Sequence, residues 1–276
     1  MGMAAVITGV LLVVAFWPIL VSIFGSWFDE PASMEHGILV IPAAAYMAWT
    51  KRERLRQIPR EPSVWGVILI AFGAAQAILG TLAHWNWISR MAFLVSLVGC
   101  IVALYGIRMA LTLTYPLCTL VLMIAPPTSF YERLTLDLQL LASRIGERCL
   151  EALGYPVLRE GNVLELVGIK LSVEEACSGI RSLFSIWFLC VVYGYFFATG
   201  RILRMLIVLS AIPVAILGNA GRIVVTGIAS QYNRALVEGV AHEAFGYLSV
   251  AFSAAGCVVF HLLTVVVRRH WRSRHA

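Results

Sequence analysis

Nine residues, Glu174–Ser182, read EEACSGIRS and gather the side-chain types that covalent chemistry needs: a thiol, two carboxylates, small residues and a cation. They stand where a polar segment meets the long apolar run Ile180–Phe197. If that run is a membrane helix, Cys177 lies at its first turn, where free backbone N–H groups and the positive end of the helix dipole favour a thiolate. Arg181 follows four residues later, on the same helical face and one turn deeper. Two further groups are out of place in apolar runs. Arg222 lies in LGNAGRIVV, with Asn219 one turn away on its face, and an Arg within a span is by default functional because lipid does not solvate it. His242 opens another apolar run in AHEAFGY, with Gly246 one turn on to permit close approach. A thiolate at Cys177 would attack a carbonyl, His242 would pair with it and protonate the leaving amine, and Arg222 would stabilise the oxyanion. Asn219 is a candidate to orient His242. Arg181 either reads an acidic group on a substrate by a bidentate contact or pairs with Glu174 or Glu175. HEAFG is not a zinc-peptidase signature, since Gly246 stands where the second histidine would be, so no metal is expected.

The elements that must position these residues are membrane helices. The chain has 276 residues, 60% hydrophobic and only 13% charged, where a soluble domain would carry about 25% charged residues. Its apolar runs approach the ~20 residues that cross a bilayer as helix, and alternating barrel segments are absent from the pattern. The fold class is an all-α polytopic membrane protein with about eight transmembrane helices. One integral domain is expected over 1–276, with an outer-face insertion at about 127–176 between the fifth and sixth spans. The first run, Met3–Phe24, reads as a retained span and not a removed signal peptide. The next, Ile38–Trp49, ends at KRERLR; spans follow at about Ser63–Leu82, Met91–Gly106 and Met109–Ala125, the last interrupted by Pro116. The sixth reaches Thr199, the seventh runs from Met205 to about Ile228 after the turn RILR, and the eighth from about His242 to Val267.

The insertion has its own pattern. From Thr128 to about Leu153, Tyr131, Leu134, Leu138, Leu141 and Ile145 recur at spacings of three and four, which predicts an amphipathic helix on or near the membrane surface. Ser129 with Glu132 reads as its capping box. Between Tyr155 and Val173, the β-branched and leucine runs separated by Gly161-Asn162 and Gly168 predict a small β meander.

The net charge of +6 falls mostly in short clusters at the ends of apolar runs, which is a topology signal and not a nucleic-acid footprint. With KRERLR on the cytoplasmic side, alternation gives that side twelve basic and two acidic residues. Nine basic and thirteen acidic remain for the outer side, out of 21 and 15. Both termini are then cytoplasmic, and Cys177, Arg222 and His242 share the outer level. Cys149 offers an alternative for Cys177, an extracytoplasmic disulfide staple in place of a nucleophile.

An ordered set of strings, EHGILVIP with its basic block, APP, GYPVLREGNVLEL, EEACSGIRSL, GNAGRI and HEAFG, resembles the exosortase/archaeosortase family of membrane cysteine transpeptidases, and within it the bacterial exosortases. The strings run from about His36 to Gly246. By motif position the resemblance places the family's nucleophile on Cys177, its arginine on Arg222 and its histidine on His242, with Arg181, Asn219 and Glu175 as supporting or substrate-binding residues. The family more often has branched residues where Ala220 and Gly221 stand here. The resemblance implies an enzyme without cofactor in the inner membrane of Gram-negative bacteria that accompanies exopolysaccharide production. Its partners would be the lipid bilayer and secreted proteins carrying a Pro-Glu-Pro-like motif, a membrane helix and a basic cluster, which it would cleave at the outer face and pass to an acceptor. The competing readings are a simple intramembrane cysteine protease and a non-enzymatic component of polysaccharide assembly or transport.

Overall fold

The computed structural model describes residues 2–28, 34–167, 169–172, 180–232 and 239–274, apart from the side chains of 180–181, 239–243 and 268–274. The chain divides into two compact units, Met1–Thr128 and Ser129–Ala276.

In the first unit, α1 (Met3–Ala15) and α2 (Trp17–Gly25) meet at a 66° bend. Pro18 sits in the first turn of α2, where its missing N–H costs nothing, so the chain restarts a helix there instead of continuing one. Next come α3 (Gly37–Thr50), the short basic α4 (Arg52–Gln57), and the hairpin of α5 (Val64–Leu82) and α6 (Asn86–Tyr105). Gly66, Gly73 and Gly80 of α5 recur every seven residues and are buried against Ala103, Ser96 and Ser89 of α6. A Cβ at these positions would strike the facing helix, so the small residues set how closely the backbones approach, as is usual where lipid-like side chains give no hydrophobic drive to associate.

After Gly106, which takes a left-handed φ of 89°, come α7 (Ile107–Thr112), α8 (Thr114–Leu120) and a 3-10 turn at Val121–Met123. The expected interruption at Pro116 falls instead at Leu113. The reason is local: starting α8 at Thr114 puts Pro116 within its first turn, where its absent N–H has no intrahelical acceptor to lose. Trp27 Nε1 donates to the Met123 carbonyl at 2.9 Å, and His36, just ahead of α3, lies 3.2 Å through Nε2 from the Leu122 carbonyl, so that nitrogen carries the proton. Lys51 Nζ donates to the Thr112 carbonyl at 2.6 Å, fastening the other end of α3 to the end of α7.

The second unit starts with α9 (Thr128–Ala152), in the place the periodicity predicts. Its packed face is different. The buried residues are Tyr131, Thr135, Gln139, Ala142, Ser143, Gly146 and Leu150, while Leu134, Leu138 and Ile145 are only partly buried and Leu141 is exposed. Small residues win the central row because they allow close approach: a Cβ on Gly146 would come 2.8 Å from Ile223. Strands β1 (Val157–Glu160), β2 (Val163–Leu166) and β3 (Ile169–Ser172) then form the expected antiparallel meander, in the order β1-β2-β3. The register pairs Val157 with Leu166 and Leu164 with Leu171, so one face is apolar. That face packs on Ala142, Leu150 and Ile223, and Arg159 Nε bonds Glu147 Oε2 at 2.8 Å to tie the sheet to α9.

Three helices complete the unit: α10 (Ile180–Phe197), α11 (Arg201–Tyr232) and α12 (Gly239–Arg274). Leu183, Ile186, Cys190, Leu203, Ile207, Ala211 and Cys257 form their common core. The stretch RILR, expected as a turn, is the first turn of α11. Among the described residues, four helices (α5, α6, α11 and α12) are long and apolar enough to span a membrane, or five if the bent α1–α2 pair is one span. The remaining expected spans correspond to shorter apolar helices at Gly37–Thr50, Thr114–Met123 and Ser182–Phe197. The chain is therefore a helical membrane protein with a small sheet; among the described residues four to five helices reach spanning length, and the three shorter apolar helices stand where the other expected spans lie. The break at Leu113 divides the apolar run Met109–Ala125 between α7 and α8.

Candidate active site

Arg222 is the anchor of the site. It is 8% exposed in α11, and its Nη2 donates to Asn219 Oδ1 at 2.9 Å, one turn back on the same face. The Asn219 amide oxygen thus accepts from Arg222, while the His242 side chain, which the sequence suggests Asn219 orients, lies outside the described atoms. A charged group removed from water must be held by polar partners, and a neutral amide oxygen fixes the guanidinium without neutralising it.

The neighbour of Arg222 on α12 is Gly246. A Cβ there would sit 3.5 Å from Nη1, so the guanidinium lies against bare backbone. Gly246 belongs to a stripe on α12 with Ser249, Ser253, Cys257 and His261, the last four all buried. Gly218 of α11 meets Ser253 and the Ser249 carbonyl, so this stripe is the face that α12 turns to α11. His242 is helical and four residues before Gly246, which places it on the same face one turn nearer the helix start. Its side chain is outside the described atoms, as is that of Arg181, which lies in the first turn of α10. Cys177 and Glu175 fall outside the described residues altogether, directly before α10. The structure thus brings Arg222 and Asn219 into contact and sets the position of His242 on the seam they occupy.

The C-terminal part of α11 is braced from its other side. Ile223 is buried in the cluster formed with α9 and the meander, and Gly227 packs against Leu150. Tyr155, just after α9, hydrogen-bonds Tyr232 at the end of α11, and that bond raises the Tyr155 phenol above its ordinary value. Arg222 is thereby carried on a helix clamped on two faces, which is how a site holds a charge in a fixed direction. Cys149 is an exposed free thiol on α9, and Cys177, its partner in the disulfide alternative, lies outside the described residues.

Sequence reasoning passed over Thr226, 3% exposed and one turn beyond Arg222, and over the α12 stripe. The stripe's spacing of three and four between Gly246, Ser249, Ser253, Cys257 and His261 was present as a signal. Within it, Cys257 Sγ is 2.8 Å from Cys190 Sγ, and His261 Nδ1 is 2.8 Å from the Tyr193 hydroxyl, so the seam stays polar well away from Arg222. Among the described residues, no cluster of three or more His, Cys, Asp or Glu could hold a metal ion.

A family model described as transmembrane exosortase matches residues 27–260. The chain belongs to the transmembrane exosortase family. Neither a curated protein nor a solved structure matches it. The matched range of this exosortase takes in Arg222, the start of α12 and the segment around Cys177.

Proposed function

We propose that this exosortase is a cysteine transpeptidase working at the outer face of the bacterial inner membrane, with both termini cytoplasmic. It cleaves C-terminal sorting signals of secreted proteins, each a Pro-Glu-Pro-like motif followed by a membrane helix and a basic cluster. The observation that carries the reading is the buried Arg222, oriented by Asn219 and facing the bare backbone at Gly246, one turn from His242. A packing role explains neither a buried cation nor its placement at the seam of two helices.

In this reading the Cys177 thiolate adds to the scissile carbonyl carbon, and the oxyanion so formed is met by the Arg222 guanidinium. As the C–N bond breaks, the leaving amine takes a proton from His242, and an acyl thioester remains on Cys177. An acceptor nucleophile then gives up its proton to His242, attacks the thioester and releases the thiolate. Arg181, four residues after Cys177 in the sequence, suits recognition of the acidic residue of the sorting motif, with Glu175 in a supporting role.

The test is co-expression with a secreted protein bearing such a tail, followed by intact-mass measurement of its new C-terminus. Wild-type enzyme should yield a shortened product, with a mass increment if an acceptor is joined and the mass of a free acid if water is. Continued processing by Cys177→Ala would sink the assignment.

A further inference from the structure

The first unit carries a second site. A cavity of about 400 Å³ opens between α6 and the α7–α8 segment, with Val98, Val102, Ile107, Leu111 and Cys118 among its lining residues. Its volume is within the ~300–1,000 Å³ of ligand clefts, but its walls are almost wholly apolar, so they suit a hydrocarbon chain and not a polar metabolite.

One end of this groove is cationic. Arg108 directly follows Ile107, and its partner Glu61, at 3.3 Å, is like it more than half exposed, so the pair is readily exchanged for another anion. Lys51 Nζ reaches the Thr112 carbonyl, beside Leu111, at 2.6 Å. Arg60 stands over the Tyr105 ring at 5.6 Å, at the same end of α6. Bulk lipid is as apolar as the groove walls, so an apolar slot alone selects nothing from a bilayer. Selection has to come from the head group, and a cluster of Lys and Arg at the membrane surface selects negative charge.

We propose that this groove holds one acyl chain of an anionic phospholipid whose phosphate is drawn to Lys51 and Arg108. The site is independent of the peptidase reading and has its own readout. Purified full-length protein, delipidated in detergent, is mixed with equal amounts of phosphatidylglycerol and phosphatidylcholine and analysed by native mass spectrometry. Two cations at the surface predict a preference on the order of tenfold for phosphatidylglycerol in a single retained lipid. Lys51→Gln with Arg108→Gln should abolish the preference, and each single change should reduce it, which keeps the test usable if the pair folds poorly. Cys118→Trp, at an exposed position in the groove wall, should lower retention of both lipids. Equal retention of the two lipids by the wild type, a preference that survives the charge changes, or full retention by Cys118→Trp would each overturn the proposal.

Discussion

Replacing Arg222 by lysine keeps the formal charge and tests whether its geometry matters. In the structure one guanidinium arm, Nη2, is committed to Asn219 at 2.9 Å, while Nη1 faces the backbone at Gly246. The planar fork serves both directions at once. A lysine has a single, more strongly hydrated ammonium that loses more on burial and reaches one target at the expense of the other. The charge-assisted bond to Asn219 is worth about 1.5–3 kcal/mol, and losing one oxyanion donor costs roughly 3–4 kcal/mol in well-studied enzymes. These losses overlap, because a misdirected cation forfeits both together. About 3 kcal/mol in the acylation step, on the order of a hundredfold in rate, is therefore expected. The assay is single-turnover acylation of Cys177 by a peptide mimic of the sorting motif, in lipid nanodiscs, with the melting temperature recorded alongside. Rates within a factor of three, with unchanged melting, would return Arg222 to a purely structural role at the helix seam.

Cys177→Ala and Cys177→Ser should both abolish substrate processing with protein level unchanged, because an unactivated hydroxyl does not replace a thiolate; Cys149→Ser should process normally, as judged by gel shift of the tailed substrate. Leu164 is fully buried between the meander and α11, so Leu164→Ala should lower stability by about 2–4 kcal/mol in denaturant titration, and it should slow acylation through the loosened brace on Ile223. His36 is held neutral by burial, which pushes it down to about 4 despite the opposing hydrogen bond to Leu122. Its depressed value means that the unfolded chain binds the extra proton first, so the contribution is complete above about pH 6.5 and fades toward pH 4, by roughly 3 kcal/mol. His36→Gln, which keeps a donor for the Leu122 carbonyl, should flatten the fall in melting temperature between those pH values; an unchanged slope would exclude His36 as its source.

The helical membrane class, α9 and the meander were legible because each depends on patterns that tertiary packing rarely overrides: long apolar runs, a 3.6-residue period, and β-branched runs between glycines. The faces of the helices were less legible. On α9 the leucines outweigh the small residues in any hydrophobicity argument, yet Gly146 and Ser143 pack most deeply because close approach to a neighbour depends on side-chain size. Where helices stop was also obscure. Leu113 carries no breaking signal of its own, and the break there follows from where Pro116 is best tolerated. In the site, Arg222 was conspicuous as a cation in an apolar run. The contact of Asn219 with Arg222, one turn away on its own helix, was within reach of the sequence spacing, but only coordinates show that the bond is made.

The 32 residues of α11 extend about 48 Å, well beyond the ~30 Å of a bilayer's hydrocarbon core. Arg222 is 21 residues from Arg201, a rise of about 32 Å, so the two cations stand almost one core thickness apart. With Arg201 anchored at one interface, the helix acts as a ruler that delivers the guanidinium to the opposite one. Lipid tails then become a variable of the chemistry. Thicker bilayers would draw the guanidinium down among the chains or tilt α11, and thinner ones would lift it into water, where a fixed cation is worth far less to an oxyanion. Turnover should accordingly peak in lipids whose core matches that spacing.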